Sequence, residues 1–209
     1  MAAIVDPIKK IIRLFMQQIA KALNKLSSGK VSPNFITVFG LLAHLPIVYC
    51  IAQGQLKIAG ILLIIFGLFD TLDGELARLQ NKESAYGQLL DSITDRIKEV
   101  MLYSGIAFYF VSEQMPDMAI FCTIACGGAL LISYINAWGE ATLKSSMHKE
   151  QKNKLFRGGI LPFEVRITVL ILGLLLLRID ISIIIIAVLG WVTVLQRLQN
   201  VLKSARIHA

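Results

Sequence analysis

Beyond residue 33 the chain alternates long apolar stretches with short polar breaks. Six stretches, 34–53, 56–79, 85–112, 117–143, 160–178 and 181–202, are each long enough for a helix across a hydrocarbon core, which takes about 20 residues. The breaks are Gln53-Gly54-Gln55, Asn81-Lys82-Glu83-Ser84, Met115-Pro116-Asp117 and a very tight turn at Arg178-Ile179-Asp180. The second and third stretches carry charge at their facing ends, so they read as helices more firmly than as wholly lipid-embedded segments. Residues 7–26 follow a different pattern. Ile8, Ile11, Ile12, Phe15, Ile19, Leu23 and Leu26 recur at helical spacing, opposite Lys9, Lys10, Arg13, Gln17, Lys21 and Asn24. That is an amphipathic helix with a basic face, suited to lying in the headgroup plane or to packing on a partner. It lacks the continuous apolar run and small-residue cleavage site of a signal peptide. Ser27-Ser28-Gly29 and Ser32-Pro33 then break the helix. The pattern predicts an all-α integral membrane protein: an interfacial helix and linker over 1–32, then six transmembrane helices over 33–209.

Composition agrees. Of the 209 residues 56% are hydrophobic and 17% charged, which excludes a disordered chain, and three cysteines are too few for a disulfide scaffold. The net charge of +7 raises nucleic acid as a partner, but topology accounts for it. Lysine and arginine collect in the N-terminal helix, at Arg78 and Lys82, in the segment with Lys144, Lys149, Lys152, Lys154 and Arg157, and at Lys203 and Arg206. The opposite side has Lys57 and Arg178. The positive-inside rule puts both termini and the even-numbered connections in the cytoplasm of a multi-pass protein of the cell membrane, with no nucleic acid needed.

Four carboxylates carry the chemistry. Asp70 and Asp73 are i, i+3 at the end of the second stretch, and Asp91 and Asp95 are i, i+4 at the start of the third. A short turn makes these helices antiparallel neighbours, so all four can converge just inside the cytoplasmic surface. Intramembrane carboxylates are costly and mark function by default. Oxygen ligands without His or Cys select Mg²⁺, Mn²⁺ or Ca²⁺. A pair of such ions is a clamp for displacement at phosphorus. Gly74, Ala77 and Gly87 allow close approach of backbones and a phosphate, and Arg78 can clamp a phosphate. The alternative is an acid-rich hairpin paired with Arg78, Arg96 and Lys98.

Residues 70–95 read D-x-x-D-G-x-x-A-R-x8-G-x-x-x-D-x-x-x-D. This resembles the motif of the CDP-alcohol phosphotransferases, membrane enzymes of phospholipid head-group synthesis. The resemblance extends to the interfacial helix, the six spans and the Pro33-Asn34-Phe35-Ile36-Thr37 opening of the first. It implies transfer of a phosphoalcohol from a CDP-linked lipid to an acceptor hydroxyl with release of CMP, and a homodimer in the family manner. By motif position Asp70, Asp73, Asp91 and Asp95 resemble ligands of two Mg²⁺ or Mn²⁺ ions, with Asp95 also the general base. Pro33, Asn34, Phe35, Ile36, Thr37, Gly74, Arg78 and Ser84 would hold the cytidine diphosphate.

The later stretches resemble the prokaryotic phosphatidylinositol-phosphate and archaetidylinositol-phosphate synthases, through Ser133-Tyr134, Ala137, Glu140, Arg157-Gly158-Gly159 and Glu164-Val165-Arg166. This implies a small phosphorylated acceptor, inositol phosphate first, met by Ser133, Lys154, Arg157 and Arg166. Trp138 stands where an arginine is expected, and Pro162-Phe163 where a Glu-Arg pair is expected; both remove positive charge. Glycerol 3-phosphate or another alcohol therefore stays open as acceptor. Arg166, inside an apolar stretch, needs an anionic partner in any case: a bound phosphate, Glu164 or another buried carboxylate. Cys50, Cys122 and Cys126 read as packing residues. A small cation transporter is the non-enzyme alternative, but it would spread polar groups over several spans near the midplane.

Overall fold

The computed structural model describes the backbone of residues 2–142 and 159–207 and the side chains of 12–142 and 159–204. Among them the chain is helical throughout: α1 (Ala2–Leu26), α2 (Pro33–Leu42), α3 (His44–Ala52), α4 (Leu56–Gly67), α5 (Phe69–Leu79), α6 (Ala85–Ser112), α7 (Pro116–Thr142), α8 (Phe163–Leu175) and α9 (Ile179–Ile207).

Two of the stretches read as single helices are broken. The first splits around Ala43 into α2 and α3. Pro46 explains this, since it has no N–H to give the carbonyl of Leu42 and its ring crowds that carbonyl. The second splits at Leu68, directly after Gly67, so that α5 begins afresh with Asp70 in its first turn. Unpaired N–H groups there favour a negative side chain. Among the described residues three helical segments are long and apolar enough to cross a membrane: Pro33–Ala52, Pro116–Thr142 and Ile179–Ser204. The stretches 56–79 and 85–112 carry the site's charges, and α8 is a helix of only 13 residues.

Helices α3, α4, α8, α9, α7 and α6 pack in a closed ring, each against the next. Ile47, Ile51, Leu63, Ile106, Phe110, Cys122, Leu174 and Ile183 fill it. In lipid the ring gains little from apolar burial itself, so it relies on close backbone approach. Gly105 supplies one: a Cβ there would lie 2.8 Å from Val48 Cγ1, so α6 meets α3 where no larger residue fits. The outer surface exposes Phe39, Tyr49, Ile61, Phe108, Ile120, Leu172 and Val188, as a lipid-facing wall does. At one end α2 and α5 cover the ring, and α1 lies on α5. Met16 and Ala20 of α1 are buried there with Ile36, Leu72 and Leu76. The face of α1 read as lipid-facing is thus divided: Ile12, Ile19 and Leu23 pack on this second core, while Phe15 and Leu26 stay exposed.

Candidate functional site

The buried charged side chains gather at the covered end, with several buried threonines. Thr37, Asp73, Thr94, Lys98, Glu99, Arg166, Thr193 and Arg197 are all under one-tenth exposed. The break at Leu68 lets α5 present Asp70 and Asp73 toward α6, and α6 returns Asp91 and Asp95. The four carboxylates are electrostatically coupled: Asp91 acts on Asp70 and Asp73, Asp70 on Asp73 and Asp95, and Asp95 on Asp91. Thr37 Oγ1 donates to Asp73 Oδ2 at 2.6 Å, which ties α2 to the cluster. Lys98, one turn beyond Asp95, donates to Asp70 Oδ1 and lies 3.4 Å from Asp95 Oδ1. This is the pairing the acid-rich alternative anticipated for Lys98.

A hard divalent cation suits these donors. All are oxygens, and Asp91 Oδ1 is buried without a hydrogen-bond partner. In the arrangement described, with Lys98 drawn onto two of the aspartates, no group of three His, Cys, Asp or Glu among the described residues is gathered to hold an ion.

Of the residues expected to hold the donor, Thr37 is joined to this cluster through Asp73. Ser32 and Ser84 cap α2 and α6, accepting from Phe35 N at 3.2 Å and Gly87 N at 3.1 Å. Those two helix starts adjoin: a Cβ on Gly87 would lie 3.4 Å from Asn34 Oδ1. Pro33, Ile36 and Thr37 are buried and Phe35 is exposed. A Cβ on Gly74 would meet nothing within 4 Å, so the backbone there faces open space. Arg78 donates to Glu75 and lies 3.5 Å from Glu83. Glu75 also accepts from Arg13 Nε at 2.8 Å, and Arg13, Gln17, Lys21, Glu75 and Arg78 line a cavity of about 260 Å³ between α1 and α5.

Turning around α6 leads to the residues read for the acceptor. Arg166 is fully buried and donates to Glu99 Oε1 through Nη2 at 2.8 Å and Nε at 3.2 Å. Its partner is thus Glu99, one of the buried carboxylates left open by the sequence. Arg96 Nη1 lies 2.8 Å from Glu99 Oε2 and donates to Ser133, and its Nη2 is 3.9 Å from Asp95. Phe163, at a position where charge was expected, lies under both guanidiniums, 5.3 Å from Arg96 and 5.8 Å from Arg166. An aromatic face there holds cations instead of adding one. Lys154 and Arg157 lie outside the described residues. Sequence reasoning gave Glu99 no role and named Arg96 and Lys98 only as partners in the acid-rich alternative, although charges at helical spacing beyond Asp95 were a signal for all three.

The sequence model of the family described as CDP-alcohol phosphatidyltransferase matches residues 30–197. The chain is similar to the phosphatidylinositol phosphate synthase of Corynebacterium glutamicum, 32% identical over 138 residues that cover 64% of this chain and 61% of that enzyme. The chain thus spans less than two thirds of that relative's length. It is also similar to the archaetidylinositol phosphate synthase of Pyrococcus horikoshii, 28% identical over 90% of this chain and 91% of that protein. Crystal structures of a Mycobacterium tuberculosis phosphatidylinositol phosphate synthase share the fold. The one with CDP-DAG bound has a TM-score of 0.76 at 23% identity, covering 89% of this chain and 92% of that one. The one with manganese and citrate has a TM-score of 0.76 at 24% identity, covering 89% and 88%.

Proposed function

This chain belongs to the CDP-alcohol phosphatidyltransferase family, the membrane transferases of phospholipid synthesis, and on that premise we propose that it moves the phosphoalcohol of a CDP-linked lipid onto a hydroxyl of inositol phosphate, releasing CMP. The observation that supports the reading is that Asp70 and Asp73 on α5 and Asp91 and Asp95 on α6 lie near enough to act on one another electrostatically. Two Mg²⁺ or Mn²⁺ ions on these four carboxylates would neutralise the diphosphate and the charge that develops on departing CMP.

The chain's own residues do the rest. Asp95 takes the proton from the acceptor hydroxyl as its oxygen attacks the β-phosphorus and the bond to the CMP oxygen breaks. Its position suits this, because it touches Lys98 on the metal side and Arg96 on the acceptor side. Gly74 leaves room for the diphosphate, with Arg78, Ser84 and the Pro33–Thr37 segment around it. Arg96 joins Ser133 and Arg166 at the acceptor pocket, with Lys154 and Arg157 completing its charge. Inositol phosphate is favoured by the named activities of the C. glutamicum and P. horikoshii relatives. The same proposal includes six spans over 33–209, an interfacial helix and linker over 1–32, both termini and the site facing the cytoplasm of the cell membrane, and a homodimer.

The test is CMP release by purified protein with Mg²⁺ and CDP-diacylglycerol, comparing inositol 1-phosphate, glycerol 3-phosphate, serine and inositol. Release stimulated by inositol 1-phosphate and absent in Asp91→Asn is the expected outcome. Stimulation by glycerol 3-phosphate alone reassigns the acceptor. Silence with every acceptor, with CDP-archaeol as donor as well, overturns the transfer.

A further inference from the structure

Lys98 is out of place for a simple metal site. It is 4% exposed, deep in a membrane helix, and its ammonium bridges two of the four carboxylates proposed to bind metal. A buried ammonium persists in such surroundings only with anionic partners. Gly40 of α2 lies alongside: a Cβ there would sit at contact distance, 3.8 Å from Asp70 Oδ1 and 4.0 Å from Lys98 Nζ. The other titratable groups that face it are Asp91 on its own helix and His44 on α3, and His44 holds the Gly40 carbonyl at 2.8 Å through Nδ1.

We infer that Lys98 is a built-in counter-charge that competes with divalent ions for Asp70 and Asp95, so that the chain tolerates an empty carboxylate cluster at the expense of metal affinity. The inference rests on the proposal that these aspartates bind metal. Its physical basis is charge and lone pairs. Four carboxylates without a cation repel one another across a low-dielectric gap; the ammonium relieves part of that repulsion. An incoming ion then meets a like charge and two oxygens already accepting hydrogen bonds, and it must displace the ammonium to gain them. The diphosphate of a donor adds negative charge beside the cluster, which favours ion and ammonium together.

The experiment is Mn²⁺ binding, read by electron paramagnetic resonance on the detergent-solubilised full chain without nucleotide, for the wild type, Lys98→Met, Lys98→Arg and Asp70→Asn. Removing the ammonium should tighten Mn²⁺ binding by about tenfold or more, while Lys98→Arg, which keeps the charge, stays near wild type. Saturating Mn²⁺ should also raise the melting temperature of Lys98→Met more than that of the wild type, since binding stabilises by mass action. A residue that only packs would give neither result. Should Lys98→Met not survive removal of metal, Lys98→Gln keeps a hydrogen bond to either aspartate without the charge and is read the same way. Wild-type binding lost in Asp70→Asn but unchanged or weakened in Lys98→Met and Lys98→Gln overturns the counter-charge and leaves the metal site standing. No Mn²⁺ binding by the wild type, Lys98→Met or Lys98→Gln overturns both.

Discussion

Glu99 holds two arginines with one carboxylate, and it is 2% exposed while doing so. Breaking a buried ion pair by removing one partner leaves an uncompensated charge and costs about 3–5 kcal/mol, whereas replacing both partners is far milder. Glu99→Gln should therefore lower the melting temperature in detergent sharply. Adding Arg166→Met to it should restore much of the loss instead of adding a second one. Additive losses would mean that Arg166 and Glu99 are independent of each other. An intramembrane arginine is visible in the sequence as a demand for an anion, and that demand is met. Which anion meets it was not legible, because Glu99 is i+4 from Asp95 and its spacing alone assigns it to the metal cluster. Only the fold, which lets the Arg166 side chain of α8 reach across the buried interior to α6, pairs it with Glu99. Lys98 was legible only as a partner in the acid-rich alternative; its burial, at 4% exposed, and its bridge between Asp70 and Asp95 come from the fold.

At the scale of elements, periodicity located the helices well and said little about their breaks. Pro46 made a break near Ala43 readable, yet the restart of α5 after Gly67 depends on how α4 and α5 pack, which no local pattern states. The basic helix α1 was legible as amphipathic, but its apolar arc is shared between lipid and protein. Met16 and Ala20, neither part of the heptad-like stripe of larger residues, are the positions that meet α5. Arg13 to Glu75 at 2.8 Å and Gln80 Nε2 to Asn24 Oδ1 at 2.8 Å hold the two ends of that contact. A charge placed at its centre must either be buried unpaired or push α1 away. Met16→Glu should thus release α1, raising hydrogen exchange across residues 12–26 while the ring helices keep their protection. Unchanged exchange would show that α1 is held by its polar ends alone.

For the whole molecule, the ring separates two chemistries along one axis. Buried charge occupies the end covered by α2 and α5, and Ile51, Leu56, Phe110, Met118 and Ile179 fill the other. The connections follow the same axis: residues 80–84 lie with the charged end, while 53–55, 113–115 and 176–178 lie with the apolar end. On the proposed function, an acceptor carrying a phosphate would reach Asp95 from the charged end, and a lipid donor would arrive sideways along the exposed apolar wall. The proposed function therefore requires the charged end to face the compartment where CDP-lipids and phosphorylated acceptors occur, the orientation that the excess of lysine and arginine predicts. Cysteine labelling tests the orientation. In a background with Cys50, Cys122 and Cys126 replaced, Lys82→Cys should react with a membrane-impermeant thiol reagent only in inside-out vesicles. Gln114→Cys and Leu177→Cys should react only in right-side-out ones, since all three positions are exposed at the connections. The reverse pattern would put the carboxylates on the outer face, away from cytosolic substrates, and would exclude the proposed transfer however well the aspartates bind metal.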